Sequence, residues 1–258
     1  WNLASSITPS DDFSARPIHF FPEHFTLHHY GRLLGINVGS LGETQVWSQF
    51  RAALWNSVLT SFASTIVCVA MSALGGYAFT RLSFPGRQTL FVAVVATLAV
   101  PGYAVLIPLY RLMISLHQVD TVTGVTAIYV SAYLPLCLWL LRSVFEQLPI
   151  SLEEAAQLDG ASKLYIFFRI VLPLVGPGLT AASILTFLGA WGQYLVPLIF
   201  SPSATKPLTV LIPEFATKNF IDYGLITAAG SIAIIIPALV VIFLNRYLVS
   251  GLLAGSIK

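Results

Sequence analysis

Charge is what this chain lacks most. Of its 258 residues only 9% are Asp, Glu, Lys or Arg, against about 25% in an ordinary soluble domain, which excludes a water-covered surface for most of the chain. A formal net charge of +2 is too small for the dense cationic surface that nucleic acid demands. Cysteine is almost missing as well. Cys68 and Cys137 both lie inside apolar runs, so neither a disulfide framework nor a metal site is implied. His24, His28 and His29 cluster, but no Cys or acidic residue stands at metal-site spacing from them, and the cluster reads as part of a surface loop. A Gly-rich phosphate loop ending in Lys and Ser or Thr is absent. At the start there is neither a basic segment nor an apolar signal core.

What the chain has in quantity is apolar residues, 56% of the total. Five runs without charge approach or exceed the roughly 20 residues a bilayer-spanning helix needs: 55–79, 89–110, 124–141, 178–200 and 224–244. The third is the shortest and holds Pro135. Lipid offers backbone polar groups no partner outside a helix or a closed barrel. The alternation of a barrel strand is missing, so the expected fold is all-α, a polytopic membrane helix bundle. Pro101, Pro108, Pro135, Pro197 and Pro237 fall within or near the ends of runs, where each removes a backbone hydrogen bond and favours a kink.

Between residues 142 and 177 lies the one long polar island, with seven charged residues. Loop cations orient the bundle. Arg81, Arg87, Arg142, Lys163, Arg169, Arg246 and Lys258 lie on one side, and Arg51, Arg111, Lys206 and Lys218 on the other. That bias puts the island in the cytoplasm and residues 1–54 outside, as an external segment before a transmembrane domain over 55–258. Export of that segment calls for a span ahead of it, six in all. The Pro85-Gly86 turn becomes cytoplasmic. The connection 201–223, with Pro207, Pro213, Glu214 and Lys218, becomes external, either a solvated connector or a surface for a soluble partner.

At membrane depth the runs carry no Asp, Glu, Lys, Arg or His, the groups on which ion- and proton-coupled carriers depend. They carry neutral polar and aromatic residues instead. Asn56, Tyr133 and the group Trp191, Gln193 and Tyr194 are candidates to line a pathway for a neutral polyhydroxylated solute, although Tyr and Trp also form ordinary interfacial belts. In the island, Ser151 and Glu154 have capping-box spacing. A short helix is predicted from about Leu152, with Glu153 and Glu154 in the first turn where the helix dipole favours acid. Ala155 and Ala156 give it a small-residue surface, and Gly160 turns the chain out. A second segment, 162–171, repeats apolar residues at helical spacing up to Pro173. The paired acids have no nucleophile or ligand set beside them, so an enzyme is disfavoured. A secondary transporter or channel for a neutral solute remains the alternative to a transporter driven from outside.

The sequence Glu154-Ala155-Ala156-x-x-Asp159-Gly160, with Ile170-x-Leu172-Pro173 downstream, resembles the EAA loop of permeases from binding-protein-dependent ABC importers. Gly76-Tyr77-Ala78-Phe79-x-Arg81, Phe84-Pro85-Gly86-Arg87, Ile107-Pro108-Leu109-Tyr110, Asp120-Thr121 and Pro177-Gly178 extend the likeness to the MalG-type permease of carbohydrate importers, over nearly all of residues 25–258. It also resembles permeases of actinobacterial trehalose importers. The resemblance implies a type I importer permease fold in the cell membrane. It implies a second, MalF-type permease and two ATPase subunits that hold the ATP and Mg. It further implies an extracytoplasmic binding protein that delivers a sugar, a disaccharide such as trehalose. The chain itself then has no cofactor, no metal and no catalytic residue. A cytoplasmic coupling hairpin, 145–173, would seat Glu153, Glu154, Ala155, Ala156, Asp159 and Gly160 against an ATPase subunit. The binding protein would meet Pro207, Pro213, Glu214 and Lys218.

Overall fold

A computed structural model describes residues 2–14, 24–36, 41–216 and 221–255, with backbone alone at residues 11, 14, 41–43 and 247–255. Among the described residues every regular element is helical. The elements used below are α1 (His28–Leu34), α2 (Leu41–Arg81), α3 (Arg87–Ala99), α4 (Gly102–Ser115), α5 (Val122–Glu146), α6 (Ser151–Leu158), α7 (Lys163–Leu174), α8 (Gly176–Trp191), α9 (Leu195–Phe200), α10 (Leu208–Glu214) and α11 (Tyr223–Gly255).

Among the described residues three helices, within α2, α5 and α11, are long and apolar enough to cross a membrane, or up to five spans if each of two bent pairs counts as one. The reason for unbroken α2 is plain in its residues. Its 41 positions contain no proline, and the hydroxyls of Thr60, Thr65 and Thr80 are satisfied within the helix, by the carbonyls of Asn56, Ser61 and Gly76 at 2.7 Å, without interrupting it. It begins at Leu41, so the boundary expected after residue 54 falls inside a helix. α5 continues through Pro135 for 25 residues, longer than the run that marked it.

The second and fourth apolar runs differ from expectation. The run 89–110 is two helices, α3 and α4, bent by 96°. Pro101 forces the break: Val100 before it is extended (φ −76°, ψ 124°), because the proline ring crowds a helical conformation in the preceding residue. The run 178–200 is also interrupted. α8 ends at Trp191, and a separate short helix, α9, starts at Leu195. Upstream, α7 and α8 meet at 74° across Val175, with Pro173 inside α7 rather than ending it.

The chain packs as two compact units, one of Trp1–Thr60, Tyr110–Val125 and Trp191–Leu239, the other of Ser61–Leu109, Thr126–Ala190 and Val240–Lys258. In the first, Phe50, Phe200 and Leu208 are almost fully buried, and an Arg32–Asp222 ion pair at 2.8 Å joins α1 to the turn before α11. In the second, the core gathers Cys68 and Ala73 of α2, Cys137, Leu141 and Phe145 of α5, and Ile166, Phe167 and Val171 of α7. The two thiols are simply buried, as their apolar neighbours predicted. Where helices pass closely a side chain is absent. A Cβ built on Gly178 would stand 2.8 Å from Val144 of α5, the small-residue contact by which apolar helices pack without a hydrophobic drive between them.

Gly178→Leu should therefore overpack α8 against α5 and destabilise the fold by about 1–3 kcal/mol. The measurement is the unfolding midpoint of the detergent-purified protein. An unshifted midpoint would show that the two helices do not meet there.

Candidate functional site

The island folds as a helical hairpin in the second unit, but it starts differently from the capping box expected at Ser151. Ile150 already has helical torsions (φ −63°, ψ −29°), and no side chain caps α6. The first-turn amides of Glu153 and Glu154 both donate to the carbonyl of Ile150, at 2.9 and 3.1 Å. The side-chain cap belongs instead to α7, where Ser162 Oγ accepts from the Tyr165 amide at 3.3 Å. At the far end of α6 the expectation about Gly160 meets a defined geometry. Gly160 N donates to Gln157 O and Ala161 N to Ala156 O, each at 3.0 Å, the paired reverse bonds of a Schellman ending. Gly160 sits at φ +83°, a left-handed conformation that costs other residues about 1–2 kcal/mol.

The two adjacent acids have separate fates. Glu153 turns inward and is 5% exposed, so it does not lie on the docking face where it was placed from sequence. Its Oε1 accepts from Arg81 Nε at 2.5 Å, and its Oε2 accepts from the Tyr77 hydroxyl at 2.8 Å. Arg81 Nη2 also donates to Leu148 O at 2.8 Å. The end of α2 thus grips both the entry to the hairpin and the first turn of α6. Glu154, Ala155, Asp159 and Gly160 are exposed and Ala156 is half-buried. Leu158, 90% exposed, is the most open large apolar side chain described. Beside them lies a groove of about 620 Å³ bounded by Ala156, residues 159–162 and Tyr165.

The first unit holds the other candidates. Asp120 organises the 201–206 loop. Its carboxylate accepts from Ser203 Oγ at 2.6 Å, from the amides of Ala204 and Thr205 at 2.8 and 3.0 Å, and from Thr205 Oγ1 at 3.0 Å. Burial alone would raise its pKa, but the donors from Ser203, Thr205 and Ala204 outweigh burial and hold it at about 2. Asn56 Nδ2 caps the carbonyls of Ala204 and Lys206, both at 3.1 Å, so its amide is spent on the same loop. Of the residues predicted to meet a binding protein, Pro207 is buried, while Pro213 and Glu214 are exposed, with Glu214 paired to Lys206 at 2.7 Å. Lys218 lies outside the described residues.

The proposed pathway residues fall in both units. Trp191 is buried and donates its indole N–H to Ala233 O of α11 at 3.0 Å. Tyr133 belongs to the other unit, half-buried where Gly189 leaves room for its ring. Gln193 and Tyr194 sit at the break before α9. The Gln193 carbonyl accepts from Thr209 Oγ1 at 2.7 Å, and Tyr194 is exposed.

The fold is that of a bacterial ABC transporter "involved in the import of the acidic polysaccharide alginate", with a TM-score of 0.79 at 20% identity over 95% of this chain and 88% of that one. Residues 71–253 match the family described as "Binding-protein-dependent transport system inner membrane component", and the chain belongs to it. It is 33% identical to a Pyrococcus horikoshii protein described as "Probable ABC transporter permease protein", over 99% of this chain and 90% of that one. The trehalose transport system permease of Mycobacterium tuberculosis is 35% identical, covering 81% and 77%. The trehalose/maltose transport system permease of Thermococcus litoralis is 30% identical, covering 100% and 90%. The chain is accordingly a multi-pass permease of the cytoplasmic membrane, and in its family ATP hydrolysis lies in separate subunits.

Asp120→Asn should free the 201–206 loop. Hydrogen bonds to a charged group contribute about 1.5–3 kcal/mol, so amide exchange at Ala204 and Thr205 is expected to accelerate by about tenfold or more. Because folding lowers this carboxyl's pKa from 3.8 to about 2, its stabilising effect is complete above the ordinary value and disappears as pH falls through about 2. Exchange at those amides that is equally slow in the variant would contradict the assignment.

Proposed function

We propose that this chain is the permease subunit of a sugar importer, taking up a disaccharide of the trehalose type. It works beside a second, MalF-type permease, two ATPase subunits that bind ATP and Mg, and an extracytoplasmic binding protein. The observation that carries this reading is α6. It is a short helix with Leu158, Glu154 and Asp159 facing outward, ended by a Schellman turn and held from behind through Glu153. An exposed leucine flanked by carboxylates suits a groove on a soluble protein better than it suits lipid, and an ATPase subunit is the partner that importers of this family require. The hairpin is then cytoplasmic, and the loop with Pro213 and Glu214 faces the binding protein. Support for a sugar comes from the trehalose and trehalose/maltose permeases among the relatives, and from the lack of charge in the apolar runs, which suits a neutral solute.

Reconstituted with its partner subunits, the complex should hydrolyse ATP faster when its binding protein carries trehalose than when the protein is empty. A panel of trehalose, maltose, sucrose and alginate oligosaccharides tests the substrate class. Stimulation by none of them would remove the sugar assignment, and solute flux through the lone chain would favour a secondary transporter or channel. A Cβ on Gly160 meets no atom within 4 Å, so Gly160→Trp adds bulk on the outer surface; the left-handed backbone strain of about 1–2 kcal/mol that it also brings is shared by Gly160→Ala, the control without the bulk. Gly160→Trp should insert normally yet lose at least about tenfold in uptake, since about 1.4 kcal/mol of lost docking already suffices for that factor. Unchanged uptake would show that this surface docks nothing.

A further inference from the structure

Displacement of α6 can reach the spanning helices back through the short turn 147–150 into α5, forward along the chain, or laterally into α2, and the structure makes the last two unequal. The forward covalent route is jointed. It passes through a π-helical stretch, Ile166–Val171, an arrangement with poorer intrinsic stability than α-helix, and then through the 74° bend at Val175 into α8. The lateral route is short and stiff. Glu153, in the first turn of α6, is fastened to Arg81, the last residue of the 41-residue helix α2. The same guanidinium holds Leu148 O in the entry turn. Tyr77, one turn back on α2, completes the carboxylate and packs its ring between Phe145 of α5 and Phe167 of α7, at centroid distances of 5.9 and 4.9 Å.

Stability alone does not explain an ion pair at this place. The side chains are only 9% and 7% exposed, and well-packed apolar residues in their stead are often as stable or more so. What apolar contacts lack is direction. Charge-assisted bonds at fixed angles resist sliding in a way that dispersion contacts do not. Deep burial also keeps water and salt from competing with the link.

We propose that Arg81 is a positioning residue of the transport cycle. Through Glu153 and Leu148 it makes α6 and the last turns of α2 move as one body, so that motion passes between the ATPase partner and α2 instead of being absorbed at the π-helical stretch and the Val175 bend. The inference rests on the docking role given to α6 above. It adds the route by which the docked helix acts on the spans.

The test uses the complete importer in liposomes and reads the ratio of hydrolysis stimulated by the loaded binding protein to basal hydrolysis. That ratio does not depend on how much complex has folded, so a merely structural role would leave it unchanged. Loss of a buried charge-assisted bond is expected to reduce the ratio about fivefold or more in Arg81→Gln and in Glu153→Gln, with partial recovery in Arg81→Lys. Tyr77→Phe keeps the ring packing and removes only one hydrogen bond. It should fold normally and lower the ratio about twofold, which keeps the test decisive if the charge variants fail to assemble. A wild-type ratio in Tyr77→Phe and in whichever charge variants assemble overturns the inference and leaves α6 docking intact. A wild-type complex whose hydrolysis ignores the binding protein overturns the docking reading and this inference together.

Discussion

Backbone amides and carbonyls in an apolar setting must find partners within the protein, since an unpaired group there costs several kcal/mol. In a chain with so few polar side chains, most helix ends close on backbone hydrogen bonds, and the few polar side chains serve particular loops and breaks. Asp120 gathers the amides and hydroxyls of residues 203–205, and Asn56 covers the carbonyls of Ala204 and Lys206. Ser57 Oγ accepts from the Leu208 amide at 2.8 Å, where α10 begins, and Trp191 reaches Ala233 on α11. These residues would pass for pathway or loop decoration in the bare sequence. Their surroundings have assigned them to satisfying backbone groups: those of the 203–206 loop, the first amide of α10 and a carbonyl within α11.

The same constraint divides the labour of the loop helix. Neighbouring residues on an α-helix point about 100° apart, so Glu153 and Glu154 cannot share an environment. One carboxylate is drawn into the second unit by Arg81 and Tyr77, and the other stays exposed. A helix of eight residues is too short to be stable by propensity. It persists because its inner face is tied down and both ends are closed by backbone hydrogen bonds. Its outer face is therefore free to be small and bare, with Gly160 supplying the one left-handed turn.

Much of the fold is legible in the order of the residues. Five charge-free runs mark the apolar stretches, because lipid selects against charge more strongly than any soluble core does. The polar island with Gly160 marks the exposed helical hairpin. The break points are less legible. Counting charge does not register that Pro101 pushes Val100 into an extended conformation, or that α8 stops at Trp191, since neither event needs a polar residue. Ser151 matches a local pattern, yet the chain enters α6 through Ile150 already in helical torsions, and Ser162 supplies the cap a few residues on.

What the amino-acid order determined by itself is membrane residence, helical class, the position of the exposed loop helix and the family. Those follow from hydropathy, from the absence of intramembrane charge and from a short motif, all of which act locally along the chain. The tertiary structure alone decided which acid faces inward and what Asp120 and Asn56 hold. It also decided that Trp191 is an anchor and that Pro207 is buried. Each of these depends on a partner dozens of residues away. Glu153 meets Arg81 only after α2 and the hairpin have packed together, and in an apolar interior the nearest available partner decides what a polar side chain does.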